Sequence, residues 1–415
     1  MNRPPEFQLA PGRARLRALL DTSRPGHSLP RELYTDPDVF KLDIQSFLFE
    51  HWFCAGHVSS LKHRGDYFLA GLAQESVIIV RGRDDTIRAL LNVCRHRGSR
   101  VCTELSGSVS GVGFVCPYHA WTYGLDGHLV SGLPSGSNGN REELGLRSLP
   151  VRIIEGLIFT TFAADPLGMD AVEQALQLSA GTHGWANAKV AHRETFVIHA
   201  NWKLAVENYM ECYHCQPAHP EFAQRHAYAR PAAVAARLEE AGQARSRAMG
   251  IAIPDVDQYG LAAPAGQESV AVLRSALLPG FQTGSADGEP LASAMGRFRS
   301  CDGNSTYFDV GPVSDFLAYA DHGLVYRFIP KTVDRTEVEV LWLVEADAVE
   351  GRDYDVEKLT WLWRVTTVQD KTIIERNMEG VSSNFYVPGP YSPEEPYCNR
   401  FTSWYLSSLG AEARG

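Results

Sequence analysis

The sequence has few cysteines, no block of basic residues and no long apolar run. Eight cysteines among 415 residues are too few for a disulfide scaffold. The formal net charge of −10, without a basic block, gives no electrostatic basis for binding nucleic acid or an anionic membrane. No run approaches the roughly 18 apolar residues of a membrane span, and Met1–Leu20 is charged and proline-rich, unlike a signal peptide. We therefore expect a soluble, cytoplasmic protein that binds neither nucleic acid nor a membrane.

The sequence does contain enough apolar material for more than one core. Its 44% hydrophobic and 21% charged residues are typical of a globular protein, and 415 residues exceed what one core usually serves. Short β-rich runs continue up to a Pro- and Gly-containing breaker at 163–168, and helical patterns follow it. We predict an antiparallel β domain over residues 46–163 and an α+β domain over 164–415. Residues 1–45 are expected to form an N-terminal segment that packs on the second domain.

Within the second domain the sequence predicts two helices and a hairpin. Cap and breaker residues place the helices over 201–215 and 353–380. Residues 323–345 are typical of a hairpin that turns near 334–335. The stretch from about 225 to 300 is rich in Ala, Gly and Ser with weak periodicity, and we interpret it as a lid or loop region.

Two motifs in the β domain each combine one cysteine with one histidine. Cys94-x-His96 and Cys116-x-x-His119 are separated by nineteen residues. Two thiolates on one iron and two imidazoles on the other can hold a [2Fe–2S] cluster, with a higher reduction potential than an all-cysteine cluster. A structural zinc also takes two Cys and two His, but zinc fingers usually group like ligands. The alternation of ligands therefore favours the cluster.

The predicted helix 201–215 carries a second candidate metal site. Glu207, Glu211 and His214 are spaced i, i+4, i+7 and would share one face, and His219 follows the helix. Two histidines beside carboxylates suit the facial triad of Fe(II) oxygenases, which leaves positions open for O₂.

The third ligand of such a triad must come from elsewhere in the chain. Asp370 is our candidate, because it lies on a largely apolar stripe of the helix 353–380, where a buried acid needs a partner. Glu375 and Glu379 on the same helix remain alternatives. The other members of the stripe are Trp363, Thr366, Thr367, Ile374 and Asn377.

Two of the remaining cysteines have the spacing of known metal and redox motifs. Cys212-x-x-Cys215 has the spacing of a thioredoxin-like redox pair, or of a zinc site completed by His219. However, the sequence holds no second C-x-x-C, and the pair does not begin a helix after a strand. We interpret these two, and also Cys54 and Cys102, as packing residues.

The two constellations together resemble the α subunits of Rieske non-haem iron oxygenases over nearly the whole chain. The matching text is C-R-H…C-P-Y-H followed by NWKLAVENYMECYHCQPAHPEF. The resemblance implies a helix-grip catalytic domain and assigns the [2Fe–2S] cluster to the two Cys–His motifs. It assigns a mononuclear Fe(2+) to three ligands: His214, His219 and Asp370. It also implies that the enzyme oxidises a small molecule with O₂ and with electrons from a separate NAD(P)H-dependent flavin and iron–sulfur reductase. The reductase must be separate because this chain lacks a Gly-rich dinucleotide fingerprint.

Two stretches are similar to family members that act on quaternary ammonium compounds such as glycine betaine, carnitine, choline or proline betaine. They are E-C-Y-H-C and the tail GVSSNFYVPGPYSPEEPYCNRF. The resemblance implies N-demethylation or hydroxylation of such a compound. An aromatic-ring or heterocycle hydroxylating oxygenase is the alternative, and a Rieske electron carrier or ligand-binding protein without oxygenase chemistry is the alternative of another class. Aromatic faces attract onium ions, and the candidate cage residues are Tyr307, Phe308, Phe316, Tyr319, Phe385, Tyr386 and Tyr391.

The resemblance also gives Glu211 a catalytic role. Most of the family carries Asp at this position, where the carboxylate links the iron-binding histidine to a cluster histidine of a neighbouring subunit. In this chain the linked residues would be His214 and His119 of the partner subunit. A ring-shaped homotrimer is therefore expected.

Overall fold

The computed structural model describes residues 12–132 and 140–414, which form two compact units. One unit consists of the described residues of Met1–Phe53 and Ala163–Gly415, and the other is Cys54–Phe162. The described N-terminal residues up to Phe53 thus belong to the larger unit. Among the described residues, no helix is long and apolar enough to span a membrane.

The smaller unit consists of short antiparallel strands in three sheets. The strands are β1 (Phe53–His57), β2 (Asp66–Leu72), β3 (Glu75–Arg81), β4 (Ile87–Leu91), β5 (Ser106–Ser108), β6 (Phe114–Val115), β7 (Thr122–Tyr123), β8 (Leu129–Ser131), β9 (Ser148–Leu149), β10 (Val151–Ile154) and β11 (Leu157–Thr160). Their orders are β5-β2-β3-β4-β9, β1-β11-β10 and β6-β7-β8. One Cys–His motif follows β4, and the other lies between β6 and β7.

Strand β3 separates two hydrophobic cores of this unit. Successive side chains of a strand point to opposite faces. Ile78 and Val80 therefore pack in a core that contains Cys94 and Cys116, whereas the alternate residues of β3 pack with Ile158 on the other face. The near-continuous apolar sequence of β3 reflects burial on both faces, and one of these cores anchors both cysteines.

A seven-stranded antiparallel sheet forms the centre of the larger unit. Its strands are β12 (Ala188–Ile198), β13 (Val256–Gln258), β14 (Val270–Ala276), β15 (Asn304–Val310), β16 (Ser314–Ala318), β17 (Gly323–Thr332) and β18 (Arg335–Glu345). The order is β12-β18-β17-β16-β15-β14-β13. The predicted hairpin over 323–345 is present as β17 and β18.

Ten α-helices lie in the described part of the larger unit. They are α1 (Arg13–Thr22), α2 (Arg31–Thr35), α3 (Pro37–Leu42), α4 (Asp170–Leu178), α5 (Trp202–Tyr209), α6 (Cys215–Ala218), α7 (Pro220–Ala223), α8 (Ala232–Ala248), α9 (Val356–Val381) and α10 (Pro396–Arg414). Helix α9 corresponds to the predicted helix 353–380; the Asp355 side chain caps it by accepting from the Lys358 amide. It packs against β12 and α5.

The interpretation of residues 225–300 as a lid or loop region was wrong in part. This stretch contains the 17-residue helix α8 and the strands β13 and β14. The buried residues of α8 are small: Ala235, Gly242 and Ser246. A Cβ atom at Gly242 would lie 2.2 Å from the Asn304 side-chain oxygen. Because the close contact requires small residues, α8 lacks the large apolar stripe by which an amphipathic helix is recognised.

A fully buried ion pair anchors the start of α5. Lys203 donates to Asp43, which also accepts from Trp202 Nε1 at 3.1 Å and from Tyr405 Oη at 2.6 Å. Burial raises the pKa of Asp43 and lowers that of Lys203, and the ion pair opposes both shifts. The contacts tie together the N-terminal segment, α5 and α10.

Replacing Lys203 should strongly destabilise the larger unit. We expect Lys203→Met to lower the free energy of unfolding by about 3–5 kcal/mol, because Asp43 would stay buried without its cation. Urea unfolding followed by tryptophan fluorescence measures the change. Lys41→Met, which breaks the exposed pair with Asp38, is the matched control and should cost less than about 1 kcal/mol. Equal effects of the two substitutions would contradict the role of the buried pair.

Candidate metal centres

The two Cys–His motifs of the smaller unit present thiols inward and imidazoles outward. Cys94 and Cys116 are buried, at 3% and 2% exposure. His96 and His119 are exposed, and their ring centroids lie 4.7 Å apart. This arrangement fits a cluster that has thiolates on its inner iron and imidazoles on its outer iron.

The surroundings of Cys94 favour its thiolate form. Its sulfur lies 3.2 Å from Tyr123 Oη, and the amides of His96 and Arg97 donate to it. The Tyr123 hydroxyl accepts from the Arg95 amide, so its own proton is available to the sulfur. Burial raises the pKa of Cys94, but the hydrogen bonds outweigh burial and lower it. The thiolate is the form that binds iron.

In the larger unit, His214, His219 and Asp370 converge from three segments of the chain. His214 lies between α5 and α6, His219 between α6 and α7, and Asp370 on α9. His219 Nε2 is 3.1 Å from His214 Nε2 and 2.9 Å from Asp370 Oδ1, and His214 Nε2 is 3.4 Å from the same oxygen. Ligand atoms about 2.1 Å from a metal ion and at right angles are about 3.0 Å apart. The spacing therefore fits three ligands on one face of a metal ion.

Hydrogen bonds on the far side of each imidazole determine which nitrogen carries its proton. His214 Nδ1 donates to Glu211 Oε1 at 2.5 Å, and His219 Nδ1 donates to Gln369 Oε1 at 2.9 Å. The Gln369 amide nitrogen donates to Glu221, which keeps its oxygen toward the imidazole. When both imidazoles are neutral, their Nε2 atoms carry lone pairs, which face each other and the carboxylate of α9. Such a group suits a cation, either a metal ion or the protons that hydrogen-bond the two histidines to Asp370.

The electrostatics of these residues also favour positive charge at the site. Burial lowers the pKa of His214, but hydrogen bonds to Asp370 and Glu211 outweigh burial and raise it to about 9. Burial raises the pKa of Asp370, but hydrogen bonds from His214 and His219 outweigh burial and lower it. Protons and a metal ion compete for such a site.

The predicted helix 201–215 is wrong in its second half, because α5 ends at Tyr209. Asn201 caps its start, as expected. Beyond α5, Glu211 Oε2 accepts from the amides of Tyr213 and His214, the latter at 3.2 Å. In a continuous helix these amides would donate to carbonyls four residues earlier. Glu211 therefore reaches His214 from a turn and not from a helix face.

Two further expectations for this segment require correction. Glu207 points away from the metal ligands and accepts from Tyr34 at 3.0 Å and Tyr391 at 3.3 Å. Burial raises the pKa of Glu207 to about 7, against these hydrogen bonds. Cys212 and Cys215, interpreted as packing residues, are joined by a disulfide, because the turn brings their Cα atoms within 4.8 Å.

The buried stripe on α9 agrees with the prediction at most positions. Trp363, Thr366, Thr367, Asp370 and Ile374 are buried, and Asn377 is exposed. The alternative acids, Glu375 and Glu379, are not grouped with His214 and His219. Glu375 pairs with Lys371 and accepts from the His199 amide, and Glu379 is exposed.

A cavity of about 120 Å³ lies beside the three candidate ligands, which form part of its lining. Two of the seven predicted cage residues, Tyr307 and Phe316, also line it. Phe385 is 93% exposed, and Phe308 stacks on Phe316 in the core. Most of the aromatic lining was not predicted, because it comes from many elements: Tyr209, Phe222, Tyr228, Tyr259, Tyr326, Trp363 and Tyr397.

Comparison with known proteins identifies the family. Residues 51–150 match the Rieske [2Fe-2S] domain, and residues 185–411 match the catalytic domain of the ring hydroxylating alpha subunit. The chain belongs to the Rieske oxygenase α subunits. The predicted fold class, the [2Fe–2S] and mononuclear iron cofactors and the oxidoreductase activity are thereby confirmed. The alternative of an electron carrier or binding protein is not supported.

Several relatives are oxygenase subunits of monooxygenases. The chain is 33% identical to the glycine betaine monooxygenase oxygenase subunit of Pseudomonas aeruginosa strain UCBPP-PA14, over 98% of this chain and 95% of that protein. The corresponding protein of Chromohalobacter salexigens is 35% identical over 93% of this chain and 88% of its own. The carnitine monooxygenase oxygenase subunit of Escherichia coli K12 is 35% identical over 47% of this chain and 53% of its own.

Solved structures share the fold at lower identity. A quaternary ammonium Rieske monooxygenase in complex with L-carnitine superposes with a TM-score of 0.65 at 21% identity, covering 100% of both chains. Naphthalene 1,2-dioxygenase from Rhodococcus sp., bound to indole, gives 0.66 at 21% identity, covering 98% of this chain and 100% of that chain. Because one fold serves an onium and an arene enzyme, the fold alone does not select the substrate.

Removing Asp370 should abolish one of the two metal centres selectively. We expect wild-type protein to hold about three irons per chain, and Asp370→Ala about two, with an unchanged cluster absorption spectrum. Metal analysis and visible spectroscopy measure both. Glu375→Ala, on the same helix, is the matched control and should keep all three. If Glu375→Ala loses the iron and Asp370→Ala keeps it, the carboxylate assignment is incorrect.

Proposed function

We propose that this chain is the terminal oxygenase component of a monooxygenase that N-demethylates or hydroxylates a small quaternary ammonium compound, such as a betaine. The aromatic cavity beside the candidate iron ligands carries the proposal. None of the described residues that line it is Lys or Arg. A permanently charged onium cannot donate a hydrogen bond from its nitrogen, so aromatic faces suit it better than directed acceptors do. The names of two relatives that match over nearly their full length support the same substrate class.

The proposed ligands follow from the geometry of the two centres. When bound, the [2Fe–2S] cluster would supply single electrons. The mononuclear iron would supply a place for O₂ activation. Glu211 and Gln369 keep protons on the Nδ1 atoms, so both Nε2 atoms stay available to a metal. The proposed cluster ligands are Cys94, His96, Cys116 and His119. The proposed mononuclear iron ligands are His214, His219 and Asp370.

A panel of substrates tests the proposed class. With NADH and a compatible reductase, we expect one or more of glycine betaine, carnitine, choline and proline betaine to stimulate O₂ uptake. Formaldehyde should form in step with O₂ uptake if the reaction is a demethylation. Naphthalene and benzoate are the comparison compounds and should leave uptake at its basal rate. Stimulation by an arene, with none by any onium, would instead establish the ring-hydroxylating alternative.

We further propose that a separate reductase supplies electrons and that the chain acts as a homotrimer. The exposed His119 imidazole and the partly buried Glu211 carboxylate, bonded to His214, are suited to meet across a subunit interface. Electrons would then pass from the cluster of one subunit to the iron of the next, through Glu211 and His119 of the partner subunit.

Mixed trimers test this route. Glu211→Ala and Cys94→Ala homotrimers should each be nearly inactive, because the former lacks the bridging carboxylate and the latter lacks the cluster. Mixing the two chains should restore part of the activity, since some interfaces then pair an intact cluster with an intact iron site. Glu211→Ala mixed with Asp370→Ala is the control, and it should stay inactive. Absence of recovery in verified mixed trimers would refute the inter-subunit route.

A further inference from the structure

Two acidic residues lie side by side in the wall of the cavity. Asp309 on β15 and Asp315 on β16 are direct cross-strand partners, and their carboxyl groups are hydrogen-bonded to each other. Together with Ala271 on β14 and Tyr326 on β17 they form one row across four neighbouring strands. All four residues line the cavity. We infer that the Asp309–Asp315 pair supplies the negative charge that binds the onium group of the substrate.

The acidic pair and the candidate iron ligands share one wall of tyrosines. Tyr326 Oη lies 3.3 Å from Thr367 Oγ1, one turn before Asp370 on α9. The ring of Tyr209 is 5.1 Å from that of Tyr326. Burial raises the pKa of Tyr209, and Asp370 and Asp315 both lie near enough to raise it further. A ligand at the acidic pair would therefore lie in the same cavity as the metal ligands.

The charge of the pair has no cationic partner in the described part of the chain. Burial raises the pKa of Asp309 to about 7, and burial together with the charge of Asp309 raises the pKa of Asp315 further. The pair thus carries at most one negative charge at neutral pH. Its other titratable neighbours are tyrosines, namely Tyr209, Tyr228, Tyr259, Tyr326 and Tyr397. A buried carboxylate requires a cation or a proton, and a bound cation would favour the ionised form.

Two observations point to a ligand and not to a purely structural acid pair. Asp315 is only 9% exposed, and its carboxyl has no hydrogen-bond partner except Asp309 among the described residues. Asn208 Oδ1, in the same cavity, is also buried without a partner in that part of the chain. Asn208 Oδ1 is thus an acceptor in the cavity wall that no donor among the described residues satisfies, and the carboxyls of the acidic pair have only each other.

The chemistry of these groups favours a quaternary ammonium ion. An onium lacks N–H donors and is stabilised by a nearby negative charge and by aromatic faces. Tyr307 lies one row from the acidic pair, and its ring is 5.9 Å from that of Tyr228. With an arene bound, the acidic pair would stay protonated and would contribute no charge to binding. The inference rests on the proposed function, and it names the residues that would select a cation.

Ligands matched in shape but different in charge, and variants that remove the charge of the pair, separate this role from a structural one. The probes are glycine betaine and 3,3-dimethylbutanoate, which has the same shape but an uncharged head. For the anaerobic holoenzyme, we expect Asp309→Asn/Asp315→Asn to raise the Kd of glycine betaine by at least about 10-fold and to leave that of the isostere within about 3-fold. Each single variant retains one carboxyl and should bind glycine betaine within about 3-fold of wild type. Calorimetry gives the Kd values, and cluster absorption and iron content verify the fold.

The outcomes distinguish this inference from the proposed function. Unchanged betaine affinity in the double variant, or equal loss for both probes, would overturn the inference while leaving the function intact. A wild-type enzyme that binds and oxidises an arene but no onium would overturn both.

If the double variant does not fold, the wild type decides. At pH 6, betaine binding should release a substantial fraction of one proton from the pair, since Asp309, with a pKa of about 7, is largely protonated at that pH and a bound cation favours its ionised form. Calorimetry in buffers of different ionisation enthalpy measures the release, and the isostere should cause none. Absence of release with betaine would also overturn the inference.

Discussion

The hydrogen bond from His214 Nδ1 to Glu211 is the interaction on which the candidate iron site depends. It keeps the imidazole proton on the side away from the cavity, so that Nε2 presents a lone pair. The other oxygen of the same carboxylate accepts two backbone amides, which ends α5 and forms the turn that places the histidine. The Glu211 side chain therefore determines both the backbone turn before His214 and the tautomer of its imidazole.

The position of α5 is determined by buried polar contacts with distant segments. Lys203 is paired with Asp43 in the N-terminal segment. Glu207 accepts hydrogen bonds from the hydroxyl groups of Tyr34 and of Tyr391, which lies near the C-terminus. Such contacts are costly to break because each charge is buried. The precision of the metal site thus rests on residues from both ends of the described chain.

The cavity combines an aromatic lining with carboxyl groups at two places. Asp370 belongs to the candidate iron site, where its charge is balanced by two histidines or by a metal ion. Asp309 and Asp315 lie on the sheet, where the described lining includes no Lys or Arg to balance them. The sheet and helices are common to onium and arene enzymes. Selection of the substrate must therefore depend on side chains such as these and not on the fold.

The sequence by itself determined the chemistry that depends on local spacing. Candidate ligands in the two Cys–His motifs, at His214 and His219, and at Asp370 on the buried stripe of α9 could all be predicted, because ligand motifs and helical periodicity are short-range patterns. The tertiary structure alone decided that α5 stops at Tyr209 and that α8 forms from small residues. It also decided which aromatic side chains line the cavity, and it joined Asp309 to Asp315 across a hairpin. These features depend on strand register and on packing between distant segments, which no local pattern encodes.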